Sequence, residues 1–206
     1  MANRLAAYTD LPSVPLYHPC PEMDRFYSGE YGDYILMPSR INPTKRQKLA
    51  IEALAKTKKD VKIFFLGRAD NEYTMNEMRT FLKERKLEDR VKFLGFVEKE
   101  EKLRLYANAR AVLFIPKDED YGYITLEAMS ASRPVITATD SGGPLEFVED
   151  RKNGWITEPT PEAIAEALDE AAGLETQART WGKEARKHLD EMDITWKHVV
   201  KELTRP

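Results

Sequence analysis

Two carboxylates and two cations are the side chains of this sequence whose types and spacing suit one joint piece of chemistry. Glu119 and Glu127 bracket a run that contains Gly122, while Arg40 and Lys45 follow an apolar segment much earlier in the chain. A glycine ahead of a helix lets backbone amides approach a ligand closely, and a carboxylate about one and a half turns further on can accept two hydrogen bonds from a vicinal diol such as that of ribose. Cations ahead of a helix suit an anion, which meets their charge and the free amides of the first turn together. At about 4 Å and an effective dielectric of about 20, one cation attracts one unit negative charge by roughly 4 kcal/mol before desolvation, so two can hold a diphosphate without a metal. Carboxylates near the same ligand repel its phosphates unless they meet hydroxyl groups instead. The set fits a ligand with a charged middle and hydroxylated ends, the layout of a nucleoside diphosphate sugar.

Two further stretches belong with these. Gly95, Phe96 and Val97 close an apolar run and expose a flat hydrophobic edge that could hold a nucleobase; a tight turn packing its own aromatic ring explains the same residues equally well. Gly142 and Gly143, within Asp140 to Glu146, offer amides to a diphosphate or a sugar, or form a flexible turn. Arg40 and Lys45 read alternatively as an exposed basic loop in front of a helix.

The elements that must position these residues are written in the hydropathy. Apolar runs at Tyr34 to Pro38, Val61 to Leu66, Val91 to Leu94, Ala111 to Ile115, Pro134 to Thr137 and Gly154 to Ile156 alternate with stretches of helical spacing. That alternation predicts an α/β fold, a Rossmann-like doubly wound parallel sheet of about six strands with helices on both faces. The polar stretches each follow one of the runs, where an open parallel sheet collects ligands. From Pro161 onward a helical tail is predicted, ending in an amphipathic segment with Trp196, Val199, Val200 and Leu203 whose apolar face invites self-association. Residues 1–33, with Pro12, Pro15, Pro19 and Pro21, read as linker, and residues 34–206 as the domain.

Composition narrows the class. The 206 residues carry 32 Lys and Arg against 35 Asp and Glu, a net charge of -3, and 42% are hydrophobic. A chain so mixed in sign is neither disordered nor a broad basic surface for nucleic acid. The longest apolar stretch falls far short of the roughly 18 residues that span a bilayer, and no basic-then-apolar leader opens the sequence. The single cysteine, Cys20, excludes an intrachain disulfide and suits a reducing compartment. The cytoplasm is the expected location, with the cytoplasmic face of a membrane as the variant of it.

Taken in order, these residues resemble the retaining glycosyltransferases of family 4, enzymes of the two-domain GT-B fold, over roughly residues 34 to 200. The resemblance implies that this is the donor-binding half. Arg40, Lys45 and Glu119 are the implied catalytic residues, the two cations on the diphosphate and Glu119 on the transferred sugar. Glu127 is implied to take the ribose hydroxyls. Ser39, Gly95, Phe96, Val97, Tyr121, Gly122, Tyr123, Ile124, Thr125, Gly142 and Gly143 are the other implied donor contacts. The donor is a UDP-, GDP- or ADP-sugar, no cofactor or metal is implied, and an acceptor domain is expected ahead of Tyr34, in cis or in trans, with Asn3 to Thr9 as the tail of it. Ser39, Arg46 and Ser132 stand where the family usually has glycine, and Arg46 adds a third cation.

A stand-alone module that binds a nucleotide or nucleotide sugar without catalysis is the alternative. A sugar epimerase of related fold finds no support, because His18, His188 and His198 lie in the linker and the helical tail. Asp118, Glu119 and Asp120 match the Asp-x-Asp metal motif of the other large glycosyltransferase fold, in the wrong sheet context.

Overall fold

The computed structural model describes residues 6, 8, 9 and 13–205. Its strands are β1 (Tyr34–Pro38), β2 (Lys62–Leu66), β3 (Val91–Gly95), β4 (Ala111–Leu113), β5 (Val135–Ala138) and β6 (Gly154–Thr157). The helices are α1 (Gln47–Leu54), α2 (Glu72–Glu84), α3 (Lys99–Ala107), α4 (Tyr123–Ser130), α5 (Pro161–Gly173), α6 (Glu175–Glu191) and α7 (Trp196–Leu203). The six predicted strands are all present, pair in parallel, and run in the order β3-β2-β1-β4-β5-β6. Pro134 stays outside β5 because it has no N–H, yet its carbonyl still accepts from Val112.

Burial on both faces follows the strand period. Ile35 and Met37 of β1, with Ala111 and Leu113 of β4, face α1, α2 and α5 through Ile51, Leu54, Met78 and Leu168. Leu36 and Val112 face the other way, onto Leu103 and Tyr106 of α3 and Ala128 of α4. A third cluster joins α4 to α6 through Leu126, Met129, Ala185 and Leu189. The central strands β1, β4 and β5 lack polar alternation because neither side of the sheet meets water there, whereas the edge strand β3 exposes Lys92.

The stretch read as linker packs against this body. Gly29 and Gly32 donate to the carbonyls of Ala107 and Asn108, Phe26 sits edge-on to Tyr106, and Cys20 and Phe26 are buried. Asn3 to Thr9, read as the tail of a preceding domain, lies for the most part outside the described residues. Trp196, Val200 and Leu203 of α7 are exposed, as the amphipathic pattern predicted.

The order of the strands reverses between β1 and β4, so their carboxyl ends open a crevice there. The loop after β1 carries Arg40 and Lys45, and the loop after β4 carries Glu119.

Candidate functional site

The loop after β1 is held by one buried amide. Gln47, at the start of α1, donates to Ser39 Oγ at 2.8 Å and to the Arg40 carbonyl at 2.9 Å, and accepts from the Asn42 amide at 3.3 Å. Asn42 then caps the single turn Pro43–Lys45. Lys45 emerges beside Glu119 and forms an ion pair with it, with the ammonium 5.6 Å from the centre of the Phe114 ring. Arg40 goes elsewhere: its side chain is 75% exposed and faces Asp70 at 3.6 Å. The crevice therefore holds one of the two predicted cations, and the other stands at its rim.

Arg46 adopts φ 60°, the left-handed conformation that a glycine takes without strain. Its guanidinium grips Asp140 through two hydrogen bonds of 2.7 and 2.5 Å, which holds the Asp140 carboxyl below the usual carboxylate range. It ties the loops after β1 and β5 together and is not a spare cation.

Glu119 is laced to the loop after β5. Its amide donates to the Ser141 carbonyl and its carbonyl accepts from the Gly143 amide at 2.7 Å. A Cβ on Gly142 would lie 2.5 Å from the Glu119 carbonyl oxygen, and one on Gly143 would lie 2.6 Å from that of Tyr121. The paired glycines thus serve the approach of two loops, and the Gly143 amide is already committed.

Gly122 precedes α4 as its cap at φ 83° and makes no side-chain capping bond, so the first-turn amides of Tyr123 and Ile124 have no side-chain cap. Tyr121 and Tyr123 turn to the leading segment. The Tyr121 hydroxyl donates to the His18 carbonyl at 2.6 Å, and the His18 ring stacks between Tyr121 and Trp196 with its Nδ1 3.2 Å from the Tyr123 hydroxyl. Thr125 is fully buried behind them.

Below the start of α4 lies a cleft of about 270 Å³ lined by Ser39, Gly67, Gly95, Phe96, Val97, Lys102, Tyr106, Ile124 and Glu127 among others. It gathers five of the predicted donor contacts around Glu127. Gly95 takes φ 65° with open space around its Cβ position, so it is there for its backbone. Phe96 is 65% exposed, with the Arg68 guanidinium 5.2 Å from its ring centre. Glu127 is buried, and both its oxygens are occupied: Oε1 accepts from Lys102 Nζ and Oε2 from the Tyr106 hydroxyl, each at 2.6 Å. Burial, with the Glu127 charge adding, raises the Tyr106 hydroxyl well above its ordinary pKa, so it stays a donor. The same two causes push the neighbouring Cys20 thiol up to about 12. A larger hollow of about 480 Å³ lies between α1 and α2; Arg46 lines it, but none of the predicted catalytic or donor-contact residues does.

Gln47, Lys102 and Tyr106 were not foreseen. The signal for Tyr106 was its place in the apolar stripe of α3, where a hydroxyl must find a partner. Lys102 stands one turn before it on the same helix. Among the described residues, no group of three or more His, Cys, Asp or Glu side chains converges as a metal site would require, and no helix is long and apolar enough to cross a membrane.

Comparison with known proteins places this geometry. The sequence profile of the family described as glycosyl transferases group 1 matches residues 24–188. The chain is 29% identical over 175 residues to the α-1,3/1,6-mannosyltransferase ALG2 of Dictyostelium discoideum, a match covering 77% of this chain and 41% of that protein. Among solved structures, Anabaena HepE in complex with UDP and glucose superposes with a TM-score of 0.83 at 22% identity, over 96% of this chain and 58% of that one. The sucrose-phosphate synthase of Thermosynechococcus elongatus gives 0.84 at 21% identity, over 98% and 54%. The chain thus spans less than half of the mannosyltransferase it resembles.

Proposed function

The chain belongs to the group 1 glycosyl transferases, and we propose that its cleft binds the nucleoside diphosphate of an activated sugar whose glycosyl group passes to an acceptor with retained anomeric configuration. One observation carries this reading: a buried carboxylate, Glu127, lines an apolar cleft at the carboxyl ends of the strands, beside the point where their order reverses. The base lies against Gly95, Phe96 and Val97, and the ribose hydroxyls reach Glu127. The diphosphate meets Lys45 and the open first turn of α4, with Arg40 closing from the rim. Glu119 faces the sugar.

In the transfer the bond from the anomeric carbon to the phosphate oxygen breaks, a bond to an acceptor oxygen forms, and the acceptor hydroxyl passes its proton to the departing diphosphate oxygen. Negative charge grows on the departing diphosphate. On this proposal Lys45 and the helix amides stabilise that charge in place of a divalent metal. The acceptor is held by a further domain in cis or in trans. The cytoplasm suits a chain with a single cysteine.

Calorimetric titration with UDP, GDP and ADP, in the presence of a chelator, tests the reading. One of the three should bind at submillimolar concentration. Failure of all three at millimolar concentration overturns it.

A further inference from the structure

Lys102 has no place in the scheme above, yet it is the cation nearest the carboxylate on which that scheme depends. One of its three N–H groups engages Glu127 Oε1 at 2.6 Å, and its side chain remains 37% exposed while lining the cleft. Tyr106, the other partner of Glu127, is completely buried and gives its single O–H to that carboxylate. The two partners therefore differ in kind. Tyr106 can only hold Glu127 in place, whereas Lys102 keeps donors to offer a ligand.

Resting on the nucleotide-binding reading, we infer that Lys102 is a specificity-determining residue that reads one hydroxyl of the ribose pair as an acceptor while Glu127 reads it as a donor. A hydroxyl is both donor and acceptor, so a carboxylate and an ammonium group side by side satisfy it fully. Removing that hydroxyl leaves the pair with no ligand partner in a desolvated cleft, which is how a polar site rejects a deoxy analogue. Among the residues lining this cleft, Lys102 is the cation.

The test uses the nucleoside diphosphate that binds best, with its 2′-deoxy and 3′-deoxy forms, titrated into the unaltered chain, Lys102→Met and Tyr106→Phe. The unaltered chain should prefer the ribo form over one deoxy form by about tenfold. Lys102→Met should shrink that preference to less than about threefold while Tyr106→Phe weakens ribo and deoxy forms alike. Thermal unfolding of both variants confirms that they are folded. A preference that survives Lys102→Met overturns the inference and leaves Lys102 as a counter-charge only. Absence of any nucleoside diphosphate binding to the unaltered chain overturns the functional reading itself, a separate result.

Discussion

Glu127 and Glu119 lie eight residues apart, each faces a lysine, and their surroundings differ at every other point. Glu127 is fixed from three directions: a helix of its own, Lys102, and the buried hydroxyl of Tyr106. Glu119 sits on a loop with its side chain 25% exposed, and its partner Lys45 is 18% exposed. A carboxylate with a buried neutral donor and a cation already aimed at it needs no rearrangement to receive a diol. A lysine–carboxylate pair carried on the loops after β1 and β4 is another matter. In the proposed binding mode a ligand diphosphate offers Lys45 more negative charge than Glu119 does, so binding would exchange one partner for the other. On that proposal the nucleoside end of the cleft is formed in advance, and the diphosphate end is held by a pair that the ligand replaces.

The largest effect should come from breaking the formed end. Glu127→Ala removes two charge-assisted contacts to the diol and leaves Lys102 and Tyr106 without their partner, so nucleoside diphosphate affinity should fall by about 3 kcal/mol, more than about a hundredfold by calorimetry. Next is Lys45→Ala. It should weaken the diphosphate by about tenfold while changing the affinity of the bare nucleoside by less than about twofold, since it touches only the exchanging end.

Two smaller effects lie away from the ligand. Ser132 follows α4 at φ 54°, and the amides of Ser132 and Arg133 return to the carbonyls of Met129 and Ala128, a Schellman ending that glycine takes without strain. Ser132→Gly should raise stability by about 1 kcal/mol in urea unfolding and leave nucleotide affinity alone. Arg46→Gly relieves a similar left-handed strain but loses the pair with Asp140, worth up to about 1 kcal/mol for partly exposed groups, so the two nearly cancel at pH 7. The sign at low pH follows from Asp140. Its folded carboxyl is held below the usual range, so the pair's stabilisation is present above about pH 4 and fades as pH falls through the folded value. Unfolding curves at pH 7 and pH 3 should show Arg46→Gly gaining on the unaltered chain in acid.

The sheet was legible from six apolar runs because the central strands, buried on both faces, read as continuous apolar stretches. Ser39, Arg46 and Ser132 were marked as places where the family has glycine, and the structure gives a left-handed backbone at Arg46 and Ser132 but not at Ser39. Sequence could not show that Arg40 and Lys45 part company, because that depends on which neighbouring loop offers a carboxylate: Asp70 after β2 or Glu119 after β4. Nor could it show the packing of the leading segment. Its contacts with α3, α4 and α7 are long-range pairings of His18, Cys20 and Phe26 that carry no local period.

The contrast between a formed end and an exchanging end is tested most directly by titrating Glu119→Gln with the nucleoside and its diphosphate. Without the Glu119 charge, Lys45 is freed before the ligand arrives. The diphosphate should bind several-fold more tightly, by about 1 kcal/mol, with the bare nucleoside unchanged. Unchanged or weaker diphosphate binding would contradict the exchange and place Lys45 outside the diphosphate site.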